Sequence, residues 1–134
     1  MVTKIIDTNI VIRFINKESG FDFILNQPEQ VCVSIITLGE LLFGAECSNQ
    51  KDRNMQTYLD FCVDVGIVAL DALVCKHYGE IKAQLRRSGT PIPDNDAWIA
   101  ACAMRHNLKL ISGDKHFGYI KGLNWEFLPK NKTN

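Results

Sequence analysis

Four carboxylates in this chain have the type and placement for chemistry: Asp7 in IIDTN, Glu40 in TLGEL, Asp96 in PDNDAW and Asp114 in ISGDK. Asp7 and Asp114 follow short apolar strand-like runs, and Glu40 and Asp96 stand near the starts of helices. In a parallel sheet all four then face the crevice outside the carboxyl ends of the strands, where open α/β sheets hold ligands. Gathered carboxylates repel one another. Two unit charges about 4 Å apart cost roughly 4 kcal/mol at an effective dielectric near 20, so a set of four requires a positive partner. Oxygen donors with no soft ligand among them suit Mg²⁺ or Mn²⁺, and magnesium takes one or two carboxylates directly while keeping water in its other positions. Such a site suits phosphodiester hydrolysis, because the ion lowers the pKa of a bound water and stabilises charge on the phosphate.

Each acid also has a purely structural reading. Thr37-Leu-Gly-Glu40 fits the S/T-x-x-E capping box. Asp94, directly after Pro93, is placed to cap the helix that contains Asp96. Asp7 and Asp114 lie in Asp-Thr-Asn and Ser-Gly-Asp, both good turn formers. Only the combination points to a site.

The elements that must carry these residues alternate along the chain. KII leads to Asp7 and is read as a strand, IVIRFI as the start of a helix, and FDFILNQPE as its continuation, ended by Pro28. VCVSI, residues 31–35, is an uninterrupted apolar strand of the kind buried on both faces of a parallel sheet. TLGELLFGAECS and QKDRNMQTYLDFCVDV carry helical periodicity, GIVAL is a further strand, and DALVCKHYGEIKAQLRRSG is a long helix stopped by Gly89. DNDAWIAACAMRHN is the next helix, LKLIS the strand before Asp114, and NWEFL a last edge strand. Strands alternating with helices predict an α/β protein with a mostly parallel sheet covered on both faces.

The 134 residues are expected to form a single domain, spanning 1–134, with a polar tail at about 129–134. Five cysteines, an odd number without a Cys-x-x-Cys pair, read as reduced thiols, and the three histidines show no zinc-ligand spacing. No apolar run is long enough to span a bilayer and no signal-peptide pattern opens the chain, so an unsecreted, cytoplasmic protein without a membrane partner is expected. A formal net charge of zero argues against binding to nucleic acid by a global positive field. The halves differ in sign, however: residues 1–70 hold five Lys/Arg against nine Asp/Glu, and residues 71–134 hold ten against six. Lys82, Arg86, Arg87, Lys109 and Lys115 are therefore candidates to receive a polyanion locally. Phe14, Ile15, Phe21, Phe23, Leu41, Leu42 and Phe43 are read mainly as core, with some left over for a groove that would take a partner helix.

Taken together, IIDTNIVI, VSIITLGELLFGA, PIPDNDAWIAACA and LKLISGDKHF resemble the PIN-domain family, in particular the VapC-type toxin ribonucleases of toxin–antitoxin pairs. The likeness runs from Lys4 to about Leu128. It implies a three-layer α/β/α sandwich and Mg²⁺- or Mn²⁺-dependent endonucleolytic cleavage of RNA. By this resemblance Asp7, Glu40, Asp96 and Asp114 match the acidic quartet, with Asp7 and Asp96 as the most direct metal ligands. Thr8 or Asn9, and Ser112, match supporting polar positions, while Asp94 falls outside the quartet. A VapB-like antitoxin and a homodimer or toxin–antitoxin hetero-oligomer are implied as well. Two rival readings are an aspartate-based phosphatase or phosphotransferase with Asp7 as nucleophile, and a binding module without catalysis. The first wants a second acid where this chain has Asn9.

Overall fold

A computed structural model describes residues 1–130; residues 131–134 of the expected polar tail lie outside the described residues. In chain order the elements are β1 (Lys4–Ile6), α1 (Thr8–Ile15), α2 (Asp22–Asn26), β2 (Val31–Ser34), α3 (Ile35–Glu46), α4 (Lys51–Val65), β3 (Ile67–Val68), α5 (Ala72–Ser88), α6 (Asp94–Arg105), β4 (Lys109–Ser112) and β5 (Trp125–Phe127). Short 3₁₀ turns at Pro28–Gln30 and Lys115–Tyr119 complete the set. All strand pairs are parallel, in the order β3-β2-β1-β4-β5.

Because side chains alternate along a strand, the three central strands β1, β2 and β4 each feed two cores. Ile5, Cys32 and Leu110 face one side of the sheet, where they meet α5 and α6. Ile6, Val31, Val33 and Ile111 face the other and pack with α1, α2, α3 and α4. This is the three-layer α/β/α sandwich. The two-sided burial explains why β2 reads as continuous apolar sequence. Helix α6 buries Ala97, Ala100, Ala101, Ala103 and Cys102 completely. Its small side chains let the helix axis lie close to the sheet, against β4.

Helix α5 runs antiparallel to α6. Arg105 Nε at the end of α6 lies 3.3 Å from Asp71 Oδ2 at the start of α5, and Lys82 Nζ lies 2.6 Å from Asp94 Oδ1 at the start of α6. No described helix is long and apolar enough to cross a membrane. Cys32, Cys62 and Cys102 are buried and Cys47 and Cys75 exposed, all as free thiols.

Three local expectations are corrected. FDFILNQPE does not continue the first helix: the chain turns at Lys17 and Gly20, both at positive φ, and restarts as α2, while Pro28 opens a 3₁₀ turn instead of ending a helix. Helix α3 begins two residues before the expected cap. Ser34, the last residue of β2, is its N-cap and accepts from the Ile36 N–H at 3.1 Å, so Thr37 and Glu40 do not form a capping box. Pro93, not Asp94, occupies the N-cap of α6, and the Asp94 carboxylate turns outward to accept from the Lys82 ammonium and from the Tyr78 hydroxyl at 3.2 Å.

Candidate active site

Asp7 leaves β1 at its carboxyl end and caps α1, its Oδ1 accepting from the Thr8 N–H at 2.8 Å. Its Oδ2 accepts from the Ser112 hydroxyl at 2.7 Å and the Asn9 amide at 3.3 Å. Ser112 ends the neighbouring strand β4 and in turn accepts from the Asp114 N–H at 2.9 Å, so one hydroxyl ties two of the acids together. Asn9 Oδ1 accepts from the Gly113 N–H at 3.0 Å. A Cβ on Gly113 would stand 3.1 Å from the Arg13 guanidinium and 3.4 Å from Asn9 Oδ1, so a side chain there would press on the residues that hold this turn against α1.

Glu40 projects from the second turn of α3 and its Oε1 accepts from the Thr8 hydroxyl at 2.6 Å; Thr37 Oγ1 lies 3.1 Å from the same hydroxyl. The Asn95 amide reaches toward Glu40 Oε2 at 3.5 Å. Asp114 caps the 3₁₀ turn that follows it, accepting from the His116 N–H at 2.9 Å, with the imidazole Nδ1 of His116 at 2.8 Å. Asp96, in the first turn of α6, is half-buried, and among the described residues no hydrogen-bond donor reaches its carboxylate.

The electrostatics follow from this packing. Burial pushes the Asp7 carboxyl up to about 6; the Ser112 and Thr8 hydrogen bonds oppose the shift, and the charges of Glu40 and Asp114 add to it. Burial likewise pushes Asp96 up to about 7, reinforced by the charges of Asp7, Asp114 and Glu40, with His116 opposing. Asp96 therefore feels all three other members of the quartet and Asp7 feels Glu40 and Asp114, so the four gather at one edge of the sheet. Among the described residues no Lys or Arg lies within ion-pairing distance of any of the four. Nor do three of the His, Cys, Asp and Glu side chains form a ready ligand cluster. The donor set fits a hard divalent ion: the four acids offer only oxygen, and apart from the His116 imidazole beside Asp114 their negative charge meets no basic side chain among the described residues.

Thr8, Asn9 and Ser112 stand beside the acids they were expected to support. Sequence reasoning missed Thr37, Asn95 and His116. The signal for His116 is its place two residues after Asp114, the spacing at which a side-chain oxygen meets a backbone N–H. Of the basic group, Lys109 opens β4 at the opposite edge of the sheet and pairs with Glu126 at 3.5 Å, which removes it from the site. Lys115 sits over the Phe127 ring, 5.2 Å from its centroid. Among the seven apolar positions, Phe21 and Leu41 are buried, Phe14, Ile15, Phe23 and Leu42 pack partly into the core, and Phe43 is exposed.

Comparison with known proteins places this geometry. The PIN domain family model matches residues 4–123. A tRNA(fMet)-specific endonuclease VapC of Shigella flexneri is 35% identical over 94% of this chain and 98% of its own. Ribonuclease VapC2 of Haemophilus influenzae is 37% identical, covering 85% of this chain and 88% of its own. A crystal structure of DNA-bound VapBC from Salmonella typhimurium contains a chain that superposes with a TM-score of 0.88 at 30% identity, over 95% of this chain and 98% of that one. The chain belongs to the PIN-domain family, among its VapC ribonucleases. PIN nucleases generally use divalent metal ions.

Proposed function

We propose that the chain is a Mg²⁺- or Mn²⁺-dependent endoribonuclease and the toxin of a pair whose VapB-like antitoxin holds it in check. The observation that carries this reading is the convergence of Asp7, Glu40, Asp96 and Asp114 on one sheet edge with no Lys or Arg paired to any of them among the described residues. Asp7 and Asp96 would hold the ion, which when bound supplies charge stabilisation on the phosphate and a more acidic water. Asp7 is pre-set as a ligand, since Thr8, Asn9 and Ser112 fix both of its oxygens and little freedom is lost on binding. Thr8 fixes Glu40 in the same way, and the His116 backbone and ring fix Asp114. One of these two acids takes the proton from the attacking water.

The relatives' names support RNA as substrate and VapB as partner. The phosphatase reading is disfavoured, since Asn9 stands where it needs an acid and the Asn9 side chain is spent on Asp7 and Gly113. An amphipathic segment of an antitoxin has an apolar recess available, a cavity of about 620 Å³ lined by Phe14, Ile15, Phe21, Leu25 and Phe61. The decisive experiment maps RNA 5′ ends after induced expression of the parent and of Asp96→Asn, with purified proteins assayed in magnesium alongside. Cleavage by Asp96→Asn is expected to fall at least about a hundredfold, the scale of lost metal-assisted stabilisation. Cleavage at the parental rate would remove Asp96 from the chemistry and the metal mechanism with it.

A further inference from the structure

The last turn of α5 and the loop after it enclose a cavity of about 650 Å³, separate from the acid cluster. Its floor is apolar: Leu85 and Ile92 are buried there and Pro91 lines one side. Its rim is cationic, formed by Lys82, Arg86 and Arg87. Arg86 and Arg87 are exposed, and among the described residues neither side chain has an acidic partner or a hydrogen bond.

The run of the helices fixes where this cavity lies. Lys82 meets Asp94 in the same first turn of α6 that carries Asp96, and Arg86 stands one turn further along α5. The cavity therefore opens at the carboxyl edge of the sheet, and residues 91–93 lead from it directly into the acid site. A polyanion approaching four carboxylates is repelled, and a chain of zero net charge has no global field to offset that. Cations beside the site must hold the strand.

We propose that this cavity receives the RNA strand adjoining the bond to be cut, with Arg86 and Arg87 on its phosphates and a base against the Leu85 and Ile92 floor. The proposal rests on the ribonuclease reading above. Guanidinium groups match phosphate oxygens with two parallel hydrogen bonds, and an apolar floor accepts the face of any base, so the contact is tolerant of sequence. Lys82, already paired with Asp94, serves as the wall between cavity and acids. The competing role for two arginines in a last helical turn is to complement the helix dipole, which would affect stability and leave RNA untouched.

The test compares the parent, Arg86→Ala/Arg87→Ala and Arg86→Lys/Arg87→Lys on purified unfractionated tRNA. Cleavage is followed in magnesium, and binding of the same tRNA is followed in EDTA across a salt series. The alanine pair is expected to raise KM about tenfold with kcat within twofold of the parent, and to flatten the slope of log K against log salt by about 1.5, the loss of two phosphate contacts. The lysine pair should keep most of the slope. If the alanine pair fails to fold, Arg86→Gln and Arg87→Gln singly should each remove about half of that slope. Parental KM and slope in the alanine pair overturn the proposal, whether the variant is otherwise silent, melts lower or changes its self-association, which would assign the rim to the dipole or to a protein contact. A parent that cuts nothing yet binds tRNA with an arginine-dependent slope supports the cavity and sinks the ribonuclease reading. A parent that cuts, with variants indistinguishable from it, does the reverse.

Discussion

Ser112 has a single hydroxyl and two duties: it donates to Asp7 Oδ2 and accepts from the Asp114 N–H. Its hydrogen bond is the largest influence opposing the burial that drives the Asp7 carboxyl upward. Removing it leaves burial and the neighbouring charges to act with less opposition, so the Asp7 carboxyl rises further above about 6. Ser112→Ala is therefore expected to weaken magnesium binding about 10- to 100-fold, the usual effect of losing a group that orients a ligand. Since the metal binds the deprotonated acid, the acid limb of the cleavage profile should move to higher pH. The stranded Asp114 N–H adds a stability cost of about 1–3 kcal/mol. Magnesium titrations of RNA cleavage at several pH values check this. An unchanged magnesium requirement would mean that Asp7 does not need Ser112 to be held ionised.

At the scale of elements, the junction of β2 and α3 decides where Glu40 points. The chain passes from strand to helix with no loop, and Ser34 is at once the last strand residue and the cap. Ser34→Ala is expected to cost about 1 kcal/mol, read as a lowered denaturant midpoint with unchanged slope. Thr37→Ala should not release the helix start, because Ser34 and not Thr37 accepts from its first turn. An unchanged denaturant midpoint in Ser34→Ala would take the cap away from Ser34.

This junction also marks what could be read from the residues and what could not. The strands and their order of appearance were legible, because burial on both faces of a parallel sheet leaves an uninterrupted apolar signature in VCVS. That the four acids gather at one sheet edge was legible too, because Asp7 and Asp114 come just after strands and Glu40 and Asp96 stand in the first two turns of helices. The start of α3 was hidden, since Ile35 is β-branched and read as strand, and Thr-x-x-Glu supplied a plausible false cap. The break before α2 was missed because Lys17, a residue that seldom takes a left-handed conformation, starts the turn, and only Gly20 three residues later marks it. Arg13 was invisible as a structural residue: its guanidinium is buried on the Leu128 and Pro129 carbonyls at 2.8 and 2.9 Å, partners more than a hundred residues away.

For the whole molecule, the acid cluster makes function and stability oppose each other, and the sign can be worked out. Asp7 at about 6 and Asp96 at about 7 hold their protons more tightly in the folded chain than in the unfolded one, where both return to near 3.8. Between those values the native state binds more protons, so the stability these groups contribute is full below pH 4 and is lost as pH rises through 6 and 7. Asp71, Glu80 and Asp94 are held low, by the Val74 N–H, Lys76 and Lys82 respectively, and their contribution is lost only in acid, below this window. Without divalent metal, the Tm should therefore fall from pH 5 to pH 7.5. Magnesium should restore it most at the higher pH, where the carboxylates are ionised. At a hundred times its Kd the ion adds about 2.7 kcal/mol, on the order of 10 °C for a chain of this size. Asp96→Asn removes the half-buried charge that no donor satisfies, so its metal-free Tm at pH 7.5 should exceed the parent's while its response to magnesium shrinks. Differential scanning of the two proteins in EDTA and in magnesium, each at pH 5 and pH 7.5, measures these values. A parent whose Tm does not fall across that pH range, together with an Asp96→Asn variant less stable than the parent in EDTA, would show that these carboxylates are satisfied within the fold and are not waiting for a cation.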